Sequence, residues 1–199
     1  MHIRQIFNAY DRGSSESDHQ PHFCPACGRN LDGQARDPDQ RLRCPECKWT
    51  YYRNPLPGVI SIVKEDNRIL LGRRAAGSFA PGKWCIPGGF MEFDEDFLST
   101  ATREVYEETG LSIELESLLN VVSNFLSPQL HTLVIVMLAK VIGGNAVPGD
   151  DIVELKWFSK NDTLPEMAFD ADRHVIEKYW HTDLKGISVD PGYKRYGTK

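Results

Sequence analysis

Glu104, Glu107 and Glu108 stand at i, i+3 and i+4, so on a helix of ~3.6 residues per turn all three carboxylates leave from one face. Carboxylates this close repel one another. The economical relief is a hard divalent cation, Mg²⁺ or Mn²⁺, which takes oxygen ligands and supplies the missing positive charge. Arg103 directly precedes the cluster and can brace a carboxylate with its planar fork of donors. Upstream, Pro87-Gly88-Gly89 is a stretch whose glycines let the backbone come close to a phosphate or a metal. Gly110 stands where a helix carrying the glutamates would stop. A charge run is more often a solvated helix face than a site. On the glutamate spacing alone both readings stand.

A second constellation is Cys24-Pro25-Ala26-Cys27 with Cys44-Pro45-Glu46-Cys47, a C-x2-C-x16-C-x2-C pattern. Four thiolates on two short knuckles suit the closed tetrahedral coordination of Zn²⁺, with no open position for water, so a metal at Cys24, Cys27, Cys44 and Cys47 would be structural. The rival reading, disulfides, belongs to secreted chains, and two copies of the pattern argue against a redox pair. Cys85, between Trp84 and Ile86, reads as a small buried hydrophobe with no catalytic role.

These residues need elements to position them. The pattern predicts a β-branched hairpin, Val59 to Lys64 and Arg68 to Arg74, then a loop from Gly77 to Gly82 and a short strand at Trp84–Ile86. A helix is expected from about Asp96 to Thr109, burying Leu98, Ala101 and Val105 beside the acidic face. Strands are expected over Ile113 to Leu126, with a break, over Leu133 to Val141 and over Val153 to Phe158. A closing helix over Asp170 to His181 packs through Phe169, Val175, Ile176, Tyr179 and Trp180. Asn54-Pro55-Leu56-Pro57-Gly58 reads as a stiff linker. The chain thus divides into an N-terminal extension (1–22), a zinc ribbon (23–53), a main domain (54–182) and a polar tail (183–199), mobile or docked as an arm. The extension reads as a short amphipathic start and a tether around Gly13 to Ser17.

With 199 residues, 41% hydrophobic and 26% charged, the chain can bury one good core and carry a small accessory module. No apolar run approaches the ~20 residues of a membrane span, and no secretory leader is legible, so the expected address is the cytoplasm with no membrane partner. The net charge of −5 disfavours strong nonspecific nucleic-acid binding, although residues 22–53 hold six basic and four acidic side chains.

The segment from Gly89 to Leu111 resembles the signature of the Nudix hydrolases, G-x5-E-x7-R-E-U-x-E-E-x-G-U with U a bulky apolar residue. Gly89, Glu95, Arg103, Glu104, Val105, Glu107, Glu108, Gly110 and Leu111 fill its fixed positions. The resemblance covers roughly 54–182 and implies an α/β (α+β) fold, an α/β/α sandwich around a mixed sheet. It implies hydrolysis of a nucleoside diphosphate linked to another moiety, giving nucleoside monophosphate and the phosphorylated moiety. A diphosphate repels hydroxide, so divalent ions must neutralise its oxygens and acidify a bound water. Carried across residue by residue, Glu104, Glu107 and Glu108 are ligands of Mg²⁺ or Mn²⁺, Glu95 is an outer ligand, Arg103 orients a glutamate and the Gly88-Gly89 backbone offers a carbonyl. In some members the general base lies in a loop before a later strand, which points to Asp151 in Asp150-Asp151, with a simple turn as its rival. Arg73 and Arg74, at a strand end near the expected active face, are candidates to clamp a phosphate.

The attached moiety is less legible. Zinc-ribbon NADH pyrophosphatases carry an S-Q-P-W-P-F-P-x-S array, where this chain reads Ser123-Asn124-Phe125-Leu126-Ser127-Pro128-Gln129. ADP-ribose pyrophosphatases resemble this chain in a proline beyond the box, here Pro128. The expected substrate is therefore ADP-ribose-like, with NAD(H), FAD or capped RNA as the alternative. A nucleotide-sensing or nucleic-acid-binding regulator using the ribbon is the reading of another class. Trp84, Phe79 and Phe125 are candidates to stack a base, and a homodimer is compatible with the family.

Overall fold

β-Branched and aliphatic residues at alternate positions divide between two faces of one sheet, and each face is covered by a helix. In a computed structural model, described for residues 3–11, 20–33, 36–37, 41–182 and 184–189, the elements run as follows. β1 (Ile6–Asn8) precedes β2 (Leu56–Glu65), β3 (Arg68–Arg74), β4 (Trp84–Cys85), β5 (Gly88–Phe90) and α1 (Phe97–Thr109). After these come β6 (Leu111–Phe125), β7 (His131–Gly144), β8 (Ile152–Ser159), α2 (Asp170–His181) and β9 (Ile187–Ser188). The main path is β1-β6-β7-β2-β3-β4, with β5 on β2, β8 on β3 and β9 on β6. β2 and β7 are parallel, while β6–β7 and β3–β8 are antiparallel.

Val63, Leu70 and Ala139 meet Val105 of α1, whereas Ile62, Ile69, Leu71, Val136 and Leu138 meet Val175 and Ile176 of α2. Adjacent strand residues thus serve opposite helices, as the period of two requires. The mixed sheet between two helices is the sandwich expected from the sequence.

α1 starts where Asp96 places its Oδ1 to accept the Leu98 and Ser99 N–H groups, both at 2.9 Å. It ends at Gly110, whose φ of 69° is the left-handed turn that glycine tolerates.

Several local readings change. β2 already begins at Leu56, inside the stretch read as a linker, and Leu56, Pro57 and Gly58 pair with Thr132, Leu133 and Val134. Pro57 has no N–H to give, but its carbonyl accepts the Met91 N–H at 3.1 Å, so the prolines do not keep the strand from starting. The expected break after Ile113 is a set of register shifts within one 15-residue strand. The amphipathic N-terminal start is a strand, parallel to Ser123–Phe125. The tail docks through Ile187 and Ser188 against Leu118 and Ser117. The tether at Gly13 to Ser17 lies outside the described residues, as does the tail beyond Val189.

Around the cysteines the chain makes two like knuckles: Gly28 N–H donates to the Cys24 carbonyl and Lys48 N–H to that of Cys44. Cys24, Leu31, Leu42 and Cys44 form a small core of their own, backed by Trp49 and Tyr51. Arg53 reaches the β6–β7 turn, donating from Nη2 to the Pro128 carbonyl at 2.6 Å.

Gly88 is the tightest point of the frame. Its φ is 147°, and a Cβ there would be driven into the Val59 carbonyl oxygen. Gly88→Ala is expected to cost at least ~2 kcal/mol in urea unfolding, whereas Gly77→Ala, with nothing near the added carbon, stays within ~1 kcal/mol.

Candidate active site

Three elements converge on one cavity of ≈ 380 Å³: the β4–β5 segment, the C-terminal half of α1 and the loop before β8. Arg103 organises the first two. It grips Glu95 at both oxygens, from Nε at 2.6 Å and from Nη2 at 2.8 Å. Its Nη1 donates to Glu104 at 2.8 Å and to Glu107 at 2.9 Å, and Nη2 also reaches the Phe90 carbonyl at 3.2 Å. Glu95 further accepts from Thr100 Oγ1 and from the Glu92 N–H. Arg103, held on it at close range, is the main cause that brings its carboxyl down to about 2.

Glu104 and Glu108 are buried and line the cavity, whereas Glu107, its side chain half exposed, is not among the lining residues. A Cβ on Gly89 would stand 2.5 Å from the Glu104 carboxylate, so a larger residue there would have to push that side chain aside. Glu108 accepts the Gly88 N–H at 2.8 Å. Burial pushes its carboxyl up to about 8, against that bond, and the charges of Glu104 and Asp151 push the same way. The Glu104 carboxyl is likewise raised, first by burial.

The loop before β8 is fixed by the open end of the helix. The last carbonyls of α1 need donors, and Gly149 N–H donates to Glu108 O at 3.0 Å while Val147 N–H donates to Thr109 O at 2.9 Å. The crossing is so close that a Cβ on Gly149 would strike the Glu107 carbonyl. It delivers Asp150, itself at a left-handed φ of 48°, and Asp151 to the cavity. Asp151 Oδ2 accepts from Arg74 Nη2 at 2.7 Å, while its Oδ1 is buried with no protein partner. An orphaned oxygen beside two buried glutamates at the same cavity is a donor set that fits a hard divalent cation.

Arg73 and Arg74 part company. Arg73 pairs with Glu154 at 2.7 Å and is not among the cavity residues; Arg74 lines it, with Nε on the Phe79 carbonyl and Nη2 on Asp151. Trp84 packs edge-on against Phe158, and Phe125 against His131. Phe79 is at the cavity wall, stacked on Phe169 with ring centres 5.6 Å apart.

Sequence reasoning treated Phe169 as core and passed over Asp172, Asn124 and Thr132, all of which line the cavity. Asp172 is hidden by a helical context that usually means a solvated acid. Here it is buried and accepts the Ile86 N–H at 3.0 Å, and burial carries its carboxyl up to about 7. Cys85 is buried as expected, with burial raising its thiol.

At the other candidate centre the four Sγ atoms all lie within 4.8 Å of one another, with Cys24–Cys47 and Cys27–Cys44 each at 3.6 Å. Zinc–sulfur bonds of ~2.3 Å set the edges of a tetrahedron at ~3.8 Å, so the four thiols fit that ion. Among the described residues this is the one cluster of three or more such donors drawn together that closely.

Fold and comparisons together define a hydrolase of phosphoric anhydrides. Residues 54–179 match the NUDIX domain, and the chain belongs to the Nudix family. It is 39% identical over 133 residues to an ADP-ribose pyrophosphatase of Methanocaldococcus jannaschii, covering 66% of this chain and 77% of that protein. It is 31% identical over 160 residues to the NAD-capped RNA hydrolase NudC of Pseudomonas aeruginosa, covering 79% of this chain but 55% of NudC. The chain thus spans about half of that relative's length. A NUDIX hydrolase from Nitrosomonas europaea superposes with a TM-score of 0.68 at 28% identity, over 80% of this chain and 90% of that one. Among the described residues no helix is long and apolar enough to cross a membrane.

The buried acid of α2 generates a pH test. Because the folded Asp172 carboxyl is raised to about 7, its stabilising effect is fully present below its unfolded value of ~3.9 and is lost as pH rises through about 7. Asp172→Asn keeps an oxygen for Ile86 and stays neutral. Urea unfolding at pH 5 and pH 8.5 is expected to show the variant gaining more than ~1 kcal/mol on wild type at the higher pH.

Proposed function

We propose that this protein hydrolyses a nucleoside diphosphate conjugate of the ADP-ribose type to nucleoside monophosphate and a phosphorylated partner, with Mg²⁺ or Mn²⁺. The observation that carries the reading is the convergence of Glu104, Glu108, Asp151 and the Gly88-Gly89 backbone on one cavity. Glu104, Glu108 and the Gly89 carbonyl would hold the metal, and Glu107, one turn along the same face and engaged by Arg103, would complete the set. Glu95, both of whose oxygens are taken by Arg103, serves by fixing that arginine. When bound, the divalent ions supply charge neutralisation at the diphosphate and acidify a water.

The protein's own groups do the rest. Asp151 Oδ1, which has no protein partner, accepts a proton from the attacking water. The water oxygen bonds to phosphorus and the bridging P–O bond breaks, leaving two phosphate monoesters. Arg74 orients Asp151 through its other oxygen. The donors it commits to Asp151 and the Phe79 carbonyl make it a positioning residue rather than the phosphate clamp expected from sequence. Arg73, engaged with Glu154 outside the cavity, takes no part. Four thiolates from Cys24, Cys27, Cys44 and Cys47 would hold a structural Zn²⁺.

The substrate class rests on the likeness to the archaeal ADP-ribose pyrophosphatase and on Pro128. The likeness to NudC runs over 160 residues, longer than the 54–179 domain, and supports NADH or NAD-capped RNA as the second reading.

A panel of ADP-ribose, NADH, FAD and the common triphosphates with Mg²⁺ and Mn²⁺ tests the proposal, and ADP-ribose is expected to give the highest kcat/KM. A triphosphate leading by ~10-fold would overturn the substrate assignment. Glu108→Gln is expected to lower kcat by ~100-fold or more with the circular dichroism spectrum unchanged. For the cysteines, elemental analysis is expected to find about one zinc per chain, lost in Cys44→Ser. Disulfides among the four would contradict it.

A further inference from the structure

Asn124 and Thr132 face each other across β6 and β7, line the cavity, and are only 6% and 5% exposed. Asn124 Nδ2 donates to Thr132 Oγ1 at 3.4 Å. The Asn124 carbonyl oxygen has no partner among the described residues and is not sealed from the cavity. The Thr132 hydroxyl, used there as an acceptor, keeps its own proton to donate. One acceptor and one donor thus stand side by side in a buried strand pair, beside the apolar side chains Leu126, Leu130 and Val134. A polar pair this deeply buried costs stability unless something completes it.

We propose that the Asn124–Thr132 pair reads the hydrogen-bonding edge of the nucleobase in the nucleoside half of the substrate, while Leu126, Leu130 and Val134 cover its flat surface. The inference rests on the nucleotide reading above and adds where the base sits. Nucleobases present neighbouring donors and acceptors on a planar apolar body, the complement of what this end offers. The other aromatic feature of the cavity is less suited. Phe79 and Phe169 lie within 5° of parallel and stack on each other, and the adjoining Arg74 already holds Asp151 and the Phe79 carbonyl. The acid at that end, Asp172, is already tied by one oxygen to the Ile86 N–H.

The position also has a built support. β1 runs beside Asn124, pairing Phe7 with it in register. Gln5 Nε2 donates to Asn120 Oδ1 at 3.2 Å, and Tyr10 hydrogen-bonds to His131 at 2.6 Å, next to Thr132. The edge is thus braced from behind by the N-terminal strand.

AMP and ribose 5-phosphate share the ribose phosphate and differ by the base, so their equilibrium binding separates base contacts from phosphate contacts without turnover. Calorimetry with Mg²⁺ on the full chain is expected to show AMP binding ~10-fold or more tightly than ribose 5-phosphate. Asn124→Leu and Thr132→Val are each expected to weaken AMP by ~5-fold or more and to leave ribose 5-phosphate within ~2-fold. Thr132→Val keeps the shape of the side chain and removes only the hydroxyl, so it stands even if Asn124→Leu does not fold. Unchanged AMP binding in folded Thr132→Val, equal weakening of both probes, or a wild type that does not distinguish them would each overturn the proposal. If ADP-ribose is not hydrolysed yet AMP behaves as described, the substrate reading fails and the base site remains.

Discussion

One guanidinium sets the distances between the acids. Three glutamates on one helical face, with a fourth just upstream, would splay if left to themselves. Arg103 instead gathers Glu95, Glu104, Glu107 and the Phe90 carbonyl around a single planar fork. That ties the chain entering α1 to the middle of the helix and so fixes how β5 lies beside it. A lysine could neutralise one carboxylate but could not span four acceptors from one rigid group. Glu108 is the acid Arg103 does not touch, and it is the one buried against the Gly88 N–H.

The end of α1 is arranged against its own stability. The carbonyl end of a helix favours positive charge, yet the last turn of α1 carries no basic residue and holds Glu107 and Glu108. Asp150 and Asp151 are then brought to the same cavity by the loop that caps its carbonyls. Negative charge concentrated where a helix terminus already repels it, and partly sealed from water, makes sense as a place for cations. The fold tolerates it because Gly110 and Gly149 allow the backbone approaches that hold the loop in place.

What the sequence conveyed follows from how local each feature is. Arg103, Glu104, Glu107 and Glu108 lie within about a turn and a half of one helix, and the cysteines within two knuckles, so short spacings brought them to notice. α2 was legible to the residue because its apolar face repeats at helical period. Arg73 and Arg74 could not be told apart, since a register shift between them in the pairing with β8 decides which faces the cavity. Asp172 and Phe169 were not legible as cavity residues because their partners, Ile86 and Phe79, sit some ninety residues away. Asn124 and Thr132 are cross-strand neighbours whose depth depends on β1 and β2 arriving on either side. No local pattern encodes that.

The pairing of β1 with β6 also orders events in time. Ile6 leaves the ribosome more than a hundred residues before its partner Ser123, an interval of roughly five to twenty-five seconds at ~5–20 residues per second. Until then the first strand has no ladder to join, and the β6 edge it will cover does not exist. A segment synthesised early is therefore among the last to settle. An N-terminal fusion or a blocked first strand would act late, on the closing of the sheet edge beside Asn124, after the β2–β3 hairpin and α1 have already been made.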